Sequence, residues 1–218
     1  MNTDDLVELL KQKSDPSYRK GMARFGIDNS KALGVKLPEI RKLAKEIKKD
    51  QPLSLALWNT GIHECRILAS MIGDPKQVTP EQMDKWVADF ASWDVCDQVC
   101  GNLFDRTPYA IRKALEYSAH EEEYVKRAGF VLMAEFAVHN KKADNAEFMP
   151  FFPVMEREAW DNRNFVKKAI NWSLRQIGKR NRTLHQIAIA TAEKIALQDS
   201  KAAKWIAADA LRELEKRF

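Results

Sequence analysis

Laid over itself at an offset of 41 residues, the chain repeats: EEYVKRAGFVL falls on RNFVKKAINWSL, so that Tyr124 meets Phe165, Val125 meets Val166, Arg127 meets Lys168 and Ala128 meets Ala169. A third, weaker copy, WIAADALREL, follows 40 residues further on, with Trp205 at the Phe165 position and Ile206 at the Val166 position. This self-similarity constrains the fold more than any single motif. A unit of about 40 residues cannot bury an apolar face alone and must stack on its neighbours. The repeated segments have helical spacing, and with eight glycines and eight prolines in 218 residues there are few breaks anywhere. Almost every other stretch also shows helical rather than alternating periodicity, so the chain is expected to be all-α.

The expected helices cover Asp4–Lys13, Pro16–Arg24, Pro38–Lys49, Pro52–Asn59, His63–Met71, Pro80–Phe90 and a segment opening at Ser92 and Trp93. They continue over Pro108–Ser118, Glu121–Asn140, Ala146–Arg157, Arg163–Gly178, Thr183–Gln198 and Lys201–Phe218. Thr79 is expected to cap its helix, with Glu81 and Gln82 in the first turn, and Pro38 is suited to a first helical turn. Helix pairs at a period near 40 mark a HEAT-like solenoid, here a single domain over residues 1–218. In such an α-α superhelix, equivalent helices line one concave side, and the charge of the repeated segments predicts a basic groove there.

The charge is concentrated in Arg163–Arg182, RNFVKKAINWSLRQIGKRNR, which holds seven basic residues and no carboxylate. Wound as a helix, it puts Val166, Ala169, Ile170, Ser173 and Ile177 on one face and Lys168, Trp172, Arg175 and Lys179 on the other. A solvated face usually mixes both signs of charge. A cationic strip with an indole in its middle suits a polyanion that also offers flat apolar surface, as nucleic acid does. The alternative for Arg175 and Arg127 is pairing with acids on neighbouring repeats. For Lys179, Arg180 and Arg182 it is a solvated helix end, where cations suit the dipole.

Overall the 36 Lys and Arg exceed the 31 Asp and Glu by only five, so the clustering matters more than the total. The N-terminus has no apolar run of signal-peptide length and no later stretch is long enough to cross a bilayer, which implies a cytoplasmic protein. Cys65, Cys96 and Cys100 form an odd set without framework spacing and read as reduced thiols. No His or further Cys accompanies them at metal-site spacing, and the four histidines are scattered, so neither metal nor other cofactor is expected. In ASWDVCDQVC, Ser92 is placed as N-cap, which puts Trp93 in the first turn and Asp97 one turn further on the same face. Asp94 lies where a carboxylate supports a helix N-terminus.

These segments, GMARFGI, LGVKLPEIRKLAKEI, SWDVCD, YVKRAGF and FVKKAINWSLRQIGK, resemble in order and spacing the bacterial AlkD-like DNA alkylation-repair glycosylases of HEAT-like repeats. The resemblance implies a monofunctional glycosylase that removes cationic N3- or N7-alkylated purines from double-stranded DNA. It implies a catalytic carboxylate at Asp97, paired tryptophans at Trp93 and Trp172, and DNA-clamping arginines at Arg127 and Arg175. Lys36 lies in the loop where the family touches the duplex, while Lys168 and Lys179 belong to the cationic strip. Two positions depart from the family: Ser92 stands where some members have tryptophan, and Phe25 replaces a tyrosine. A monomer with no obligate protein partner is expected. Two other readings share the fold: a non-catalytic protein binding duplex or branched DNA, and a scaffold solenoid for a protein partner.

Overall fold

A computed structural model describes residues 1–217, and among these no strand occurs. The chain forms two compact units, Met1–Thr107 and Pro108–Phe218. The first contains α1 (Thr3–Gln12), α2 (Pro16–Met22), a 3₁₀ turn (Ala23–Phe25), α3 (Leu37–Ile47), α4 (Gln51–Asn59), α5 (His63–Ile72), α6 (Pro80–Ala88) and α7 (Trp93–Asn102). A second 3₁₀ turn, Phe104–Arg106, closes it. The second contains α8 (Ala110–Ser118), α9 (Glu123–His139), α10 (Asn145–Phe148), α11 (Phe151–Glu158), α12 (Asn164–Gly178), α13 (Arg182–Ala196) and α14 (Lys201–Leu214).

Short polar side chains start several of these helices, because each accepts an amide N–H that the first turn would otherwise leave unpaired. Asn2 and Asp5 form a reciprocal capping box on α1. Asp15, Asp50, Thr79, Asn181 and Ser200 accept from the amides of Tyr18, Leu53, Gln82, Leu184 and Ala203. Gly26, at φ 72°, ends the first 3₁₀ turn in the left-handed region, where a side chain would be strained.

Within the first unit α5 is the buried spine. It packs on α3, α4 and α7, and eight of its ten residues are buried. Trp58 of α4 stacks on Trp86 of α6 with ring centroids 4.0 Å apart, and Phe104 leans on Trp86 at 5.9 Å. Each of these indoles removes on the order of 200 Å² of apolar surface from water, about 5 kcal/mol by area. That burial ties α4 to α6 through an apolar contact.

The second unit is a two-layer array. One layer is α9, α12 and α14 side by side; the other is α8, α11 and α13, each packed against the first layer. The repeat at about 40 residues is therefore physical: Val125, Val166 and Ile206 occupy equivalent buried positions on α9, α12 and α14. Tyr124 and Phe165, also equivalent, stack on each other at 5.8 Å. Gly129 allows α8 and α9 to approach closely, since a methyl group there would lie 2.4 Å from the Ser118 amide nitrogen.

One expected helix divides. The segment 146–157 forms α10 and α11, separated at Met149 and Pro150. Pro150 has no N–H to continue α10, and Pro153 fits only in the first turn of a new helix, so two prolines three apart force a restart. The last helix ends at Leu214, and Phe218 lies outside the described residues.

Candidate functional site

In the first unit the region to consider is the start of α7. Val95, Cys96, Val99 and Cys100 face the core, leaving Trp93, Asp94, Asp97 and Gln98 on a partly accessible face. Trp93 and Asp97, one turn apart, share that face as the spacing predicted. The Trp93 indole N–H donates to the Phe25 carbonyl at 2.9 Å, and its ring packs on Met22, Ile27 and Ala32. Ser92 occupies the N-cap position, but its hydroxyl does not cap; it donates to Asp94 at 2.7 Å.

Asp94 also meets His63 Nε2 at 2.8 Å. Burial pushes the Asp94 carboxyl up, but the His63 and Ser92 hydrogen bonds and the His63 charge outweigh it and hold the group below its ordinary value. For His63 the burial that favours neutral imidazole is likewise outweighed by Asp94, so its pKa is raised. Asp94 thus anchors the start of α7 to the start of α5.

The neighbouring Glu64, 1% exposed, accepts amide N–H bonds from Leu33, Gly34 and Val35. The His63 amide donates to the Lys31 carbonyl at 3.0 Å. Residues 31–35 are thereby pinned to α5, which presents Lys36 exposed at the start of α3. Lys36 Nζ stands 3.6 Å from Asp15 and 6.0 Å from the Tyr18 ring. Beside it, Tyr18, Gly21, Met22, Arg24 and Phe25 help line a cavity of about 370 Å³.

In the second unit α12 divides as its periodicity predicted: Val166, Ala169, Ile170, Ser173 and Ile177 are buried, Lys168 is exposed, and Trp172, Arg175 and Lys179 are half-buried. Arg175 Nη1 and Lys179 both pair with Glu213 of α14, and Arg175 Nε lies 3.8 Å from Asp209. Burial raises the Glu213 carboxyl, but its bonds to Lys179 and Arg175 more than reverse this and keep it below its ordinary value. Sequence reading offered pairing with neighbouring repeats only as an alternative for Arg175. The signal that names the partner is the third repeat copy, which places Glu213 and Asp209 on α14.

Arg127 is 6% exposed on α9; its Nη1 donates to the Phe165 carbonyl at 2.6 Å, tying α9 to the first turn of α12. Arg180 is no solvated helix end. It donates to the carbonyls of Ala137 and Ala143 and lies 4.4 Å from the centre of the Phe148 ring. Lys126, not singled out from sequence, is buried between Glu158 at 2.8 Å and Asp161 at 3.4 Å.

All three cysteines are buried, and burial pushes the Cys65 thiol up to about 11. Among the described residues no group of three or more His, Cys, Asp or Glu side chains is placed to hold a metal ion, and no helix is long and apolar enough to cross a membrane.

The family model described as DNA alkylation repair enzyme matches residues 6–214. No curated protein matches. A solved structure of "a new family of proteins related to the HEAT-like repeat DNA glycosylases with affinity for branched DNA structures" aligns with a TM-score of 0.80. The alignment covers 98% of this chain and 95% of that one at 19% identity. At that identity the likeness establishes the fold, an all-α array of HEAT-like repeats.

Proposed function

The chain belongs to the DNA alkylation repair enzyme family, and on that premise we propose that it is a DNA glycosylase releasing cationic N3- or N7-alkylated purines from double-stranded DNA. The observation that carries this reading is the accessible face of α7, where Asp97 and Trp93 lie one turn apart on a helix start that is held rigidly by Phe25 and His63. A preorganised carboxylate beside an aromatic ring suits a reaction whose transition state is a sugar cation.

An alkylated purine already bears positive charge and departs without a proton from a general acid, so one carboxylate suffices. Asp97 at about 4 Å from the developing oxocarbenium, at an effective dielectric near 20, supplies roughly 4 kcal/mol, on the order of a thousandfold in rate. The same carboxylate orients the water that attacks the sugar. Trp93 adds about 1–2 kcal/mol through cation–π attraction where water is excluded. Lys168, Arg175, Lys179 and Lys36 take phosphates, with Arg127 positioning the start of α12. No metal or cofactor enters this chemistry.

Asp97→Asn tests the reading. The variant should fold and bind DNA like the wild type while losing most release of free methylpurine from methylated duplex. Full release by that variant would remove Asp97 from the mechanism. A second reading is favoured by the solved neighbour, whose family has affinity for branched DNA: the same cationic face holds a branched or distorted duplex without base release. Binding of a four-way junction, with no methylpurine freed by the wild type, would select it.

A further inference from the structure

Between the end of α12 and the end of α14 the second unit has a depression of about 880 Å³. Six basic side chains line it, among them Arg175, Lys179, Arg212 and Arg217, against only two carboxylates, Asp209 and Glu213. Such an excess of one sign in a concave site raises the local concentration of anions. The centre of the depression is already occupied from within: the two oxygens of Glu213 bridge Arg175 Nη1 and Lys179 Nζ. Arg175 Nε is buried with no hydrogen-bond acceptor, the Asp209 carboxylate standing off at 3.8 Å. An unpaired buried N–H on a guanidinium is costly, and it marks where a further acceptor oxygen would be gained.

We propose that this depression is a phosphodiester-binding site in which Glu213 is the resident counter-anion, displaced when a nucleic-acid strand docks. This rests on the reading of the chain as a DNA-binding protein and adds how its grip is regulated. Carboxylate and phosphodiester each carry one negative charge spread over two oxygens, so the second can replace the first between the same two cations. Glu213 has the freedom to leave: its side chain is 34% exposed, and turning outward returns it to water instead of stranding a buried charge. A phosphate has acceptor capacity that the carboxylate does not bring to Arg175 Nε.

Docking is consequently an exchange of one anion for another. A strand held by this site alone gains little, and a strand also anchored elsewhere on the protein gains the full set of phosphate contacts. Glu213 acts as a built-in competitor that suppresses retention on undamaged DNA.

The experiment is fluorescence anisotropy of the full chain on an undamaged labelled duplex across a salt series, with methylpurine release measured in parallel. Glu213→Gln should bind about tenfold tighter at low salt, with a salt slope steeper by about one. Glu213→Ala should change affinity in the same direction, and Asp209→Asn, which loosens the Arg212 pair but leaves the Arg175–Glu213–Lys179 bridge in place, should change it by less than about threefold. Adding Arg175→Ala to Glu213→Gln should cancel the gain. Unchanged or weaker binding by both Glu213 variants, with helical content and melting intact, overturns the inference. A gain that survives loss of Arg175 overturns it too. If the wild type binds and frees methylpurine but neither Glu213 variant binds tighter, only the inference falls. If the variants bind tighter and no protein frees methylpurine, the inference stands and the glycosylase reading falls. If nothing binds DNA, both fall.

Discussion

The start of α7 and the exposed edge of α12 hold their polar groups in opposite ways. At α7 the bonds are short and fix one helix start: Asp94 to His63 and Ser92 to Asp94 are partly buried, and Trp93 to Phe25 lies at the surface. At α12, Arg175 and Lys179 reach outward to Glu213, and all three side chains are between a fifth and a third exposed. Shielded hydrogen bonds fix orientation, while half-solvated ion pairs contribute about 1 kcal/mol or less and exchange readily. The first arrangement suits a group that must point at one atom of a substrate. The second suits charges that trade partners along a polyanion.

The largest expected effect tests the chemical side of that contrast. Asp97→Asn should lower methylpurine release about a thousandfold with little change in melting temperature. A loss of less than about tenfold would make α7 a structural start and leave the α12 edge as the functional region.

The next effect sharpens the contrast inside the second unit, which also contains a locked cation. Lys126 is buried between Glu158 and Asp161, and burial raises both of those carboxyls, but their bonds to Lys126 and to the neighbouring arginines outweigh it and hold them below their ordinary values. Lys126→Met removes the buried partner and leaves Glu158 and Asp161 only the more exposed Arg157 and Arg163, and should cost about 2 kcal/mol in urea denaturation. Lys179→Met, at the exchangeable pair, should cost less than about 1 kcal/mol. Equal costs would erase the distinction between shielded and exchangeable pairs.

A smaller effect concerns the exposed Lys168. Lys168→Gln should reduce the magnitude of the salt slope of duplex binding by about one and weaken affinity alike for damaged and undamaged DNA. A slope equal to that of the wild type would take Lys168 out of the phosphate contacts.

The smallest is a pH dependence of the α7 anchor. The His63 pKa is raised above 6.5 and that of Asp94 lowered below 3.8. The histidine contribution is complete below 6.5 and lost as pH rises through its higher folded value. The aspartate contribution is present above 3.8 and lost as pH falls through its lower folded value. The link therefore stabilises most between these two ordinary values. His63→Gln should flatten the stability profile above pH 6.5 by about 1 kcal/mol, read from urea denaturation across pH. An unaltered profile would mean the anchor does not depend on charge.

Sequence reading reached the helical class, nearly every helix and the repeat for a common reason. Capping residues, prolines and apolar spacing act within a few residues of where they are read. Thr79 caps α6 whatever surrounds it, whereas the Ser92 side chain is taken by Asp94, and the 41-residue match between α9 and α12 follows from repeated helix faces. The split at Pro150 is equally local, since two prolines three apart break a helix through their missing N–H groups and fixed φ. The accessible face shared by Trp93 and Asp97 was also legible, since a helix brings residues four apart together without outside help.

By itself, then, the amino-acid order determined that this chain winds into paired helices, which residues of each helix turn inward, and where positive charge gathers. Only the tertiary structure decided which charges are committed. Glu64 binding the amides of Leu33 to Val35, Asp94 meeting His63, Arg127 turned to the Phe165 carbonyl and Glu213 seated between Arg175 and Lys179 join residues about 30 to 40 positions apart. Which partner each group takes is not set by the residues beside it in the chain. They form because stacking places successive helices side by side, and partly dry surroundings then make each polar group bond to whatever partner that stacking presents.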